Sequence, residues 1–366
     1  MDERVREHAE TLVDWSARVE AGDRVVVSVA EGAHDLAVAT AAALGERGAT
    51  PVFTYDAGEV GRAYLRAVDP DDLAEPTHER ALLDGADVHL RLGGSWNATA
   101  TADVPGETRR THARATAPVR EARMETRWVS TVHPTRAAAQ AAGMSFEAYR
   151  EFVYGAVLRD WESLAGEMAR LKDVLDAGET VRVVAPGTDL ELDVRGRTAV
   201  NSCASVAYDS HNLPSGEVFT APAGAEGEVR FDVPMTVDGR RLRDVRLVFE
   251  DGEVVEHDAA EGAEALADVL ATDAGARRPG ELGVGTNRGI DRPTDSILFD
   301  EKMGGTVHLA LGRAYDACLP EGEAGNDSAV HVDLITRVDE DARLEVDGEV
   351  VQRNGVFRWE EGFESA

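Results

Sequence analysis

The sequence predicts an α+β protein: an N-terminal α/β sheet domain over residues 1–177, followed over 178–366 by a mainly antiparallel β domain that carries a metal site. Three observations lead there. In the first half, continuous apolar strands alternate with alanine-rich helical stretches, the pattern of a buried parallel sheet. In the second half, short segments alternate apolar and polar residues and are joined by Asp-Gly turns, the pattern of antiparallel hairpins. Two histidines and a carboxylate then occur at strand positions of that half, and these are side chains that zinc and similar cations take.

Residues 3–20 read as a helix, with Val5, Leu12, Val13 and Val19 at helical spacings. "GDRVVVSVA" (22–30) is a turn and a strand, "HDLAVATAAALGERGA" (34–49) a helix ended by Gly48, and "PVFTYD" (51–56) the next strand. "DVHLRLGG" (87–94) adds a further strand after another helix. No Gly-x-Gly-x-x-Gly follows the first strand, which argues against a dinucleotide loop. Residues 107–127 hold six arginines in an otherwise acidic chain, read as a helix carrying intramolecular ion pairs, with an acidic partner surface as the alternative. Residues 145–176 read as one long helical stretch opened by Ser145 and closed by Gly178. Beyond it, "TVRVVAP", "TDLELDVRG", "EGEVRFDVPM", "DVRLVFEDGEVVEHD" and "ARLEVDGEVVQRNGVFRW" are strands, and only 259–275 reads as a helix.

Composition bounds the partners. There are 69 acidic residues against 38 basic ones, a net charge of −31 that repels nucleic acid and anionic membranes. All the basic residues except Lys172 and Lys302 are arginine. Abundant acid with almost no lysine and few aromatics is the composition of a protein made for high intracellular salt, where repulsion is screened. Cys203 and Cys318 are not spaced as a metal-binding pair and read as free thiols of a reducing cytoplasm. No run reaches the roughly 18 apolar residues of a membrane span, and the polar start "MDERVREHAE" does not look like a signal peptide. A cytoplasmic location is expected.

The candidate site starts from "GGTVHLALG" (304–312), where His308 lies on the opposite strand face from Val307, Leu309 and Leu311. For a single histidine, a buried ring held by one hydrogen bond is the commoner explanation. "HVD", with His331 and Asp333 on one face of another strand, changes the balance. Glu217 in "NLPSGEVFTAP" and Glu281 in "RRPGELGVGTN" follow proline-glycine turns and enter apolar segments, where an unpaired charge is costly and a cation offsets the cost.

Those segments, with "DEKMGGTVHLALG" and "NDSAVHVDLI" and in this order, closely resemble the motifs of the aminopeptidase T / aminopeptidase S / PepS group of metallopeptidases. "GTDLELDVRGR" (187–197) and "HPTRAAAQAAGMSFEAY" (133–149) are similar to it as well. The resemblance runs from about residue 20 onward and is densest over 180–337. It implies an aminopeptidase with two divalent metal ions, usually zinc or cobalt, with manganese and magnesium as further candidates, acting on peptides with a free N-terminus and forming a homodimer. Carried over position by position, the metal ligands fall on Glu217, Glu281, His308, His331 and Asp333, and a tyrosine near the site on Tyr315. Either Glu281 or Glu217 is then the bridging carboxylate, and Tyr315, if not a core residue, a hydrogen-bond donor to the developing oxyanion. This chain has Val332 where the group usually has tryptophan, and its N-terminal half looks shorter.

Lys302 is singled out separately, as a lysine six residues before His308 in a chain that uses arginine almost everywhere else. Acting at the site requires "MGG" (303–305) to turn sharply; a surface lysine requires nothing. Two other readings compete: a non-catalytic acidic scaffold that takes up cations, and a hydrolase using paired carboxylates without metal. Both leave the histidine strands unexplained.

Overall fold

Arg24–Ala30 is the second strand of a five-stranded, all-parallel sheet that runs Thr50–Asp56, Arg24–Ala30, Val88–Gly93, Arg127–Val132, Asn212–Leu213. The computed structural model describes residues 2–237 and 239–364. Val25, Val26, Val27 and Val29 are all buried, which is why this strand is a continuous apolar run rather than an alternating one. Helix His34–Arg47 stops at Gly48, whose φ of +75° only glycine adopts readily. This sheet and its helices form one compact unit, Met1–Arg159 with Ala204–Pro214.

Several expected helices differ in detail. The stretch 3–20 is an α-helix over Glu3–Glu10 and a wider π turn over Thr11–Ser16; Arg18, at φ +49°, turns the chain out of it. The arginine run is two helices, Gly106–Ala115 and Ala117–Met124, with Pro118 in the first turn of the second. Arg127 pairs with Asp23 at 2.6 Å and the Arg123 guanidinium lies over the Trp128 ring. Of the expected intramolecular ion pairs only that of Arg127 is present among the described residues; Arg109, Arg110, Arg114 and Arg120 make none. The stretch 145–176 is two helices: Phe146–Val157, capped by Ser145, and Trp161–Ala177, capped by Asp160. Asp160 accepts from the Ser163 N–H at 3.0 Å, a local bond that starts a new helix instead of continuing the old one.

The second unit, Asp160–Cys203 with Ser215–Ala366, contains two antiparallel sheets. In its nine-stranded sheet the turns Asp251-Gly252, Asp347-Gly348 and Asn354-Gly355 have positive φ at both residues, as two-residue hairpin turns need. The helix expected over 259–275 is confined to Ala263–Leu270. Residues 259–261 instead extend the expected strand, so that Glu253–Glu261 completes a hairpin with Arg240–Glu250, and Gly262, at φ +83°, separates strand from helix.

The other sheet has five strands in the order His331–Arg337, Thr306–Gly312, Pro279–Gly285, Glu217–Thr220, Val200–Ser202, every pair antiparallel. Val218, Leu282, Val284, Val307, Leu309 and Leu334 are buried on one alternation of these strands. The candidate ligands occupy the other.

Exposed arginine–carboxylate pairs such as Arg24–Asp87 and Arg182–Asp189 occur throughout, but 69 acids cannot all be matched by 38 bases. Net repulsion therefore outweighs attraction, and salt screens repulsion. The unfolding temperature is expected to rise by on the order of 10 °C or more between low and molar KCl; a flat melting curve series would refute the high-salt reading.

Candidate metal centre

Register brings the five predicted ligands together. Glu281, Ala310 and Asp333 form one rung across three strands, Gly283, His308 and Ile335 the next, while Gly312 faces His331 and Gly285 faces Glu217. Residues in register on neighbouring strands share a face, so all five side chains project from the same side. Between them stand glycines and an alanine. A Cβ on Gly283 would fall on the His308 ring, so this position admits no side chain while the imidazole stays where it is. Gly280 is the extra residue of a β-bulge, which shifts the register between Pro279 and Glu281 and aims the Glu281 side chain.

His308 and His331 are oriented in the same way. His308 Nδ1 lies 3.0 Å from the main-chain oxygen of Glu301, and His331 Nδ1 lies 2.9 Å from that of Arg313. A carbonyl accepts only, so each Nδ1 carries the proton and each Nε2 turns toward the carboxylates. His308 Nε2 is 3.0 Å from Glu281 Oε1 and 3.7 Å from Glu217 Oε2. His331 Nε2 is 3.6 Å from Glu281 Oε2 and 3.4 Å from Asp333 Oδ1. Two trios result, Glu217–Glu281–His308 and Glu281–His331–Asp333, and in each a donor atom from every residue lies within 4.8 Å of the others. Glu281 belongs to both. Its two oxygens face one histidine each.

Three buried carboxylates, the buried His308 ring and the partly exposed His331 ring together suit hard or borderline divalent cations. Glu217 Oε2 is buried and has no hydrogen-bond partner, an orphaned anionic oxygen that a cation would satisfy. Burial raises the Glu281 carboxyl above the ordinary range, despite its bond to His308. Burial disfavours the charged form of His308, but Glu281 and the neighbouring Glu217 and Asp333 outweigh it and bring the ring up to about 10. His331 rises to about 9 in the same way: burial is outweighed by Asp333 and Glu281. The metal-free cluster thus holds protons where cations would sit.

Lys302 is fully buried, and its ammonium touches Glu301 and lies 3.4 Å from Glu217 Oε1. The sharp turn this requires is present: Gly305 has φ +80° and Thr306 Oγ1 donates to Met303 O. Burial alone would lower the lysine, but Glu217 and Glu301 more than offset it and hold the ammonium charged. Burial pushes the Glu301 carboxyl up to about 8. Sequence reasoning missed Glu301, although an acid next to the one unusual lysine was a signal. It also missed Gly283, whose role is visible only in the pairing. Tyr315 lies at the rim rather than among the ligands, half exposed, its ring edge-on to His331 at 5.1 Å and 5.6 Å from Phe219. Cys203 and Cys318 are buried thiols outside the cluster and are not joined in a disulfide.

Residues 1–357 match the thermophilic metalloprotease family, M29. The chain belongs to that family. Aminopeptidase T of Thermus thermophilus is 32% identical over 74% of this chain and 74% of its own length. Aminopeptidase 2 of Geobacillus stearothermophilus is 33% identical over 54% of this chain, an alignment that spans about half (52%) of that relative. The solved structure of wild-type AmpT from Thermus thermophilus superposes with a TM-score of 0.84 at 26% identity, covering 97% of this chain and 99% of that one. The mixed α/β architecture is therefore the family's, and the M29 chain described here is a member of a group of metal-dependent peptidases.

Proposed function

We propose that this M29 protein is a two-metal aminopeptidase that removes the N-terminal residue from peptides, its chemistry residing in residues 178–366. The observation that carries this reading is Glu281, which turns one oxygen to each histidine. Glu217, Glu281 and His308 would hold one ion and Glu281, His331 and Asp333 the other, with Glu281 as the bridge. Such a pair of ions supplies an activated water at neutral pH and polarises the scissile carbonyl. The protein's own residues do the rest. Two main-chain carbonyls fix the imidazoles, so Nε2 is presented without rearrangement. The Lys302 ammonium offsets charge beside Glu217, and Glu301, its carboxyl raised by burial, is its other neighbour. Tyr315, at the rim, can donate its phenolic proton to an oxygen that gains charge. Zinc or cobalt suits the two imidazoles, with manganese and magnesium as further candidates. A homodimer is proposed from the family resemblance. A cytoplasmic location fits two cysteines that are not joined in a disulfide, and no helix among the described residues is long and apolar enough to cross a membrane.

Chelator dialysis followed by assay on leucine p-nitroanilide tests the reading. Hydrolysis should vanish and return with Zn²⁺ or Co²⁺. Because His308 and His331 must lose protons to bind, zinc affinity should climb from roughly pH 6 to pH 9 with proton release. Full activity in metal-free protein would favour a paired-carboxylate hydrolase; metal uptake with no hydrolysis would favour a cation-binding scaffold.

A further inference from the structure

The strand His331–Arg337 is an edge of the five-stranded sheet, and the phase of its hydrogen bonds is set by two neighbours. Arg313 N–H donates to Val330 O, and Val338 N–H to Gly305 O. In an antiparallel ladder those bonds flank widely spaced pairs. His331, Asp333, Ile335 and Arg337 therefore turn their main-chain N–H and C=O outward, away from Thr306–Gly312. Part of that edge is covered: Asp232 Oδ1 accepts from Arg337 N–H at 2.9 Å, and Val233 N–H donates to Ile335 O at 3.2 Å. Then comes Pro234, which has no N–H, and the chain turns away to pair Met235–Val237 with Arg240–Leu242. Among the described residues nothing pairs with the outward main chain of His331 and Asp333. A cleft of about 440 Å³ runs beside this open stretch.

Resting on the aminopeptidase reading, we propose that this cleft receives the substrate: the peptide adds as a strand to the open edge, bonding the main chain of His331 and Asp333, and its N-terminal side chain enters the cleft. Main-chain pairing at a sheet edge is sequence-tolerant and aligns an extended peptide along one direction. Here the two residues with free main-chain groups are those whose side chains belong to the carboxylate–histidine cluster. Pairing with them brings the first residues of the peptide to that cluster. The cleft walls then decide which side chain is accepted. Met235, Val237, Val269, Ile297 and Val332 make them apolar. Apart from His331 and Asp333, the charged side chains there are Arg240 and Asp268, which pair with each other at 2.6 Å. The fitting class is peptides that begin with an uncharged aliphatic residue such as leucine or methionine.

Ile297 is half exposed at the start of a short helix, and its side chain takes part in none of the hydrogen bonds or ion pairs of the cluster, which makes it the position to enlarge. In the metal-loaded enzyme, Ile297→Trp should lower kcat/KM on leucine p-nitroanilide at least about tenfold while changing the alanine substrate far less. Thr272→Trp, on another part of the wall, is the second variant. Leu-Ala-Ala-Ala carrying an N-methyl on each amide beyond the scissile bond in turn should show at least one position losing about fivefold. Equal effects on leucine and alanine substrates in both variants, or no loss from any methylation, would overturn the cleft assignment while leaving hydrolysis intact. No hydrolysis by metal-loaded wild-type protein would overturn the aminopeptidase reading and this one with it.

Discussion

Glu281→Gln should remove peptide hydrolysis by at least about a thousandfold and reduce bound metal from two ions to one or none. The substitution keeps the shape of the side chain and removes its charge. In the native protein one carboxylate oxygen faces His308 Nε2 and the other His331 Nε2. An amide presents an oxygen on one side only and an NH₂ donor on the other, so one trio loses an anionic ligand and the other gains a group that cannot ligate. Loss of folding is not the reason for the effect. Burial already disfavours the charged form of Glu281, and a neutral amide relieves that cost. The stabilisation that wild type gains from zinc should largely disappear in the variant. Elemental analysis showing two ions per chain, with wild-type kcat/KM, would end the assignment of Glu281 as the shared ligand.

Lys302 gives the second large effect, with two substitutions that separate charge from shape. Lys302→Met removes a fully buried ammonium beside Glu217 and Glu301. Removing one partner of a buried ion pair costs about 3–5 kcal/mol, since the remaining charge has neither water nor counter-ion. Denaturant unfolding of the metal-free protein should register a loss of that order, moderated by the ease with which Glu301 takes up a proton. Lys302→Arg keeps the charge, but the guanidinium is broad and planar where the native group is compact. With no exposed surface to expand into, it shifts Glu217 or Glu301. The expected result is a lowered kcat with metal content at the wild-type level. An Arg variant that turns over at the wild-type rate, together with a Met variant of unchanged stability, would return Lys302 to a passive role.

Much of the site could be read from local sequence because local sequence made it. Each candidate ligand lies on a strand whose apolar partners alternate with it, as His308 does with Val307 and Leu309, and proline-glycine turns announce Glu217 and Glu281. The hairpins of the second half were legible because Asp-Gly and Asn-Gly turns need positive φ at both residues, a demand few other dipeptides meet. What was not legible depends on partners distant in the chain. The break between Val157 and Trp161 rests on a cap that competes with helix continuation, and helical periodicity runs through it. Residues 259–261, which read as the start of a helix, extend the strand instead because Arg243 and Val245 lie beside them. Asn212–Leu213, two residues in a Ser-rich segment, join the parallel sheet through Ser130 and Thr131. Gly283 resembles any strand glycine until His308 is found opposite it.

In the sheet that carries the cluster, spatial order equals chain order. Val200–Ser202, Glu217–Thr220, Pro279–Gly285, Thr306–Gly312 and His331–Arg337 each lie beside the strand made just before. A chain emerging from the ribosome can therefore lay down this sheet from one side to the other, each new strand adding to the growing edge, and no strand has to be threaded between two already in place. The cluster matures on the same schedule. Glu217, Glu281 and His308 are together once the fourth strand is down, while the trio of Glu281, His331 and Asp333 waits for the fifth. Laid down in that order, the two halves of the cluster would be completed one after the other, with Glu281 in place before either is whole.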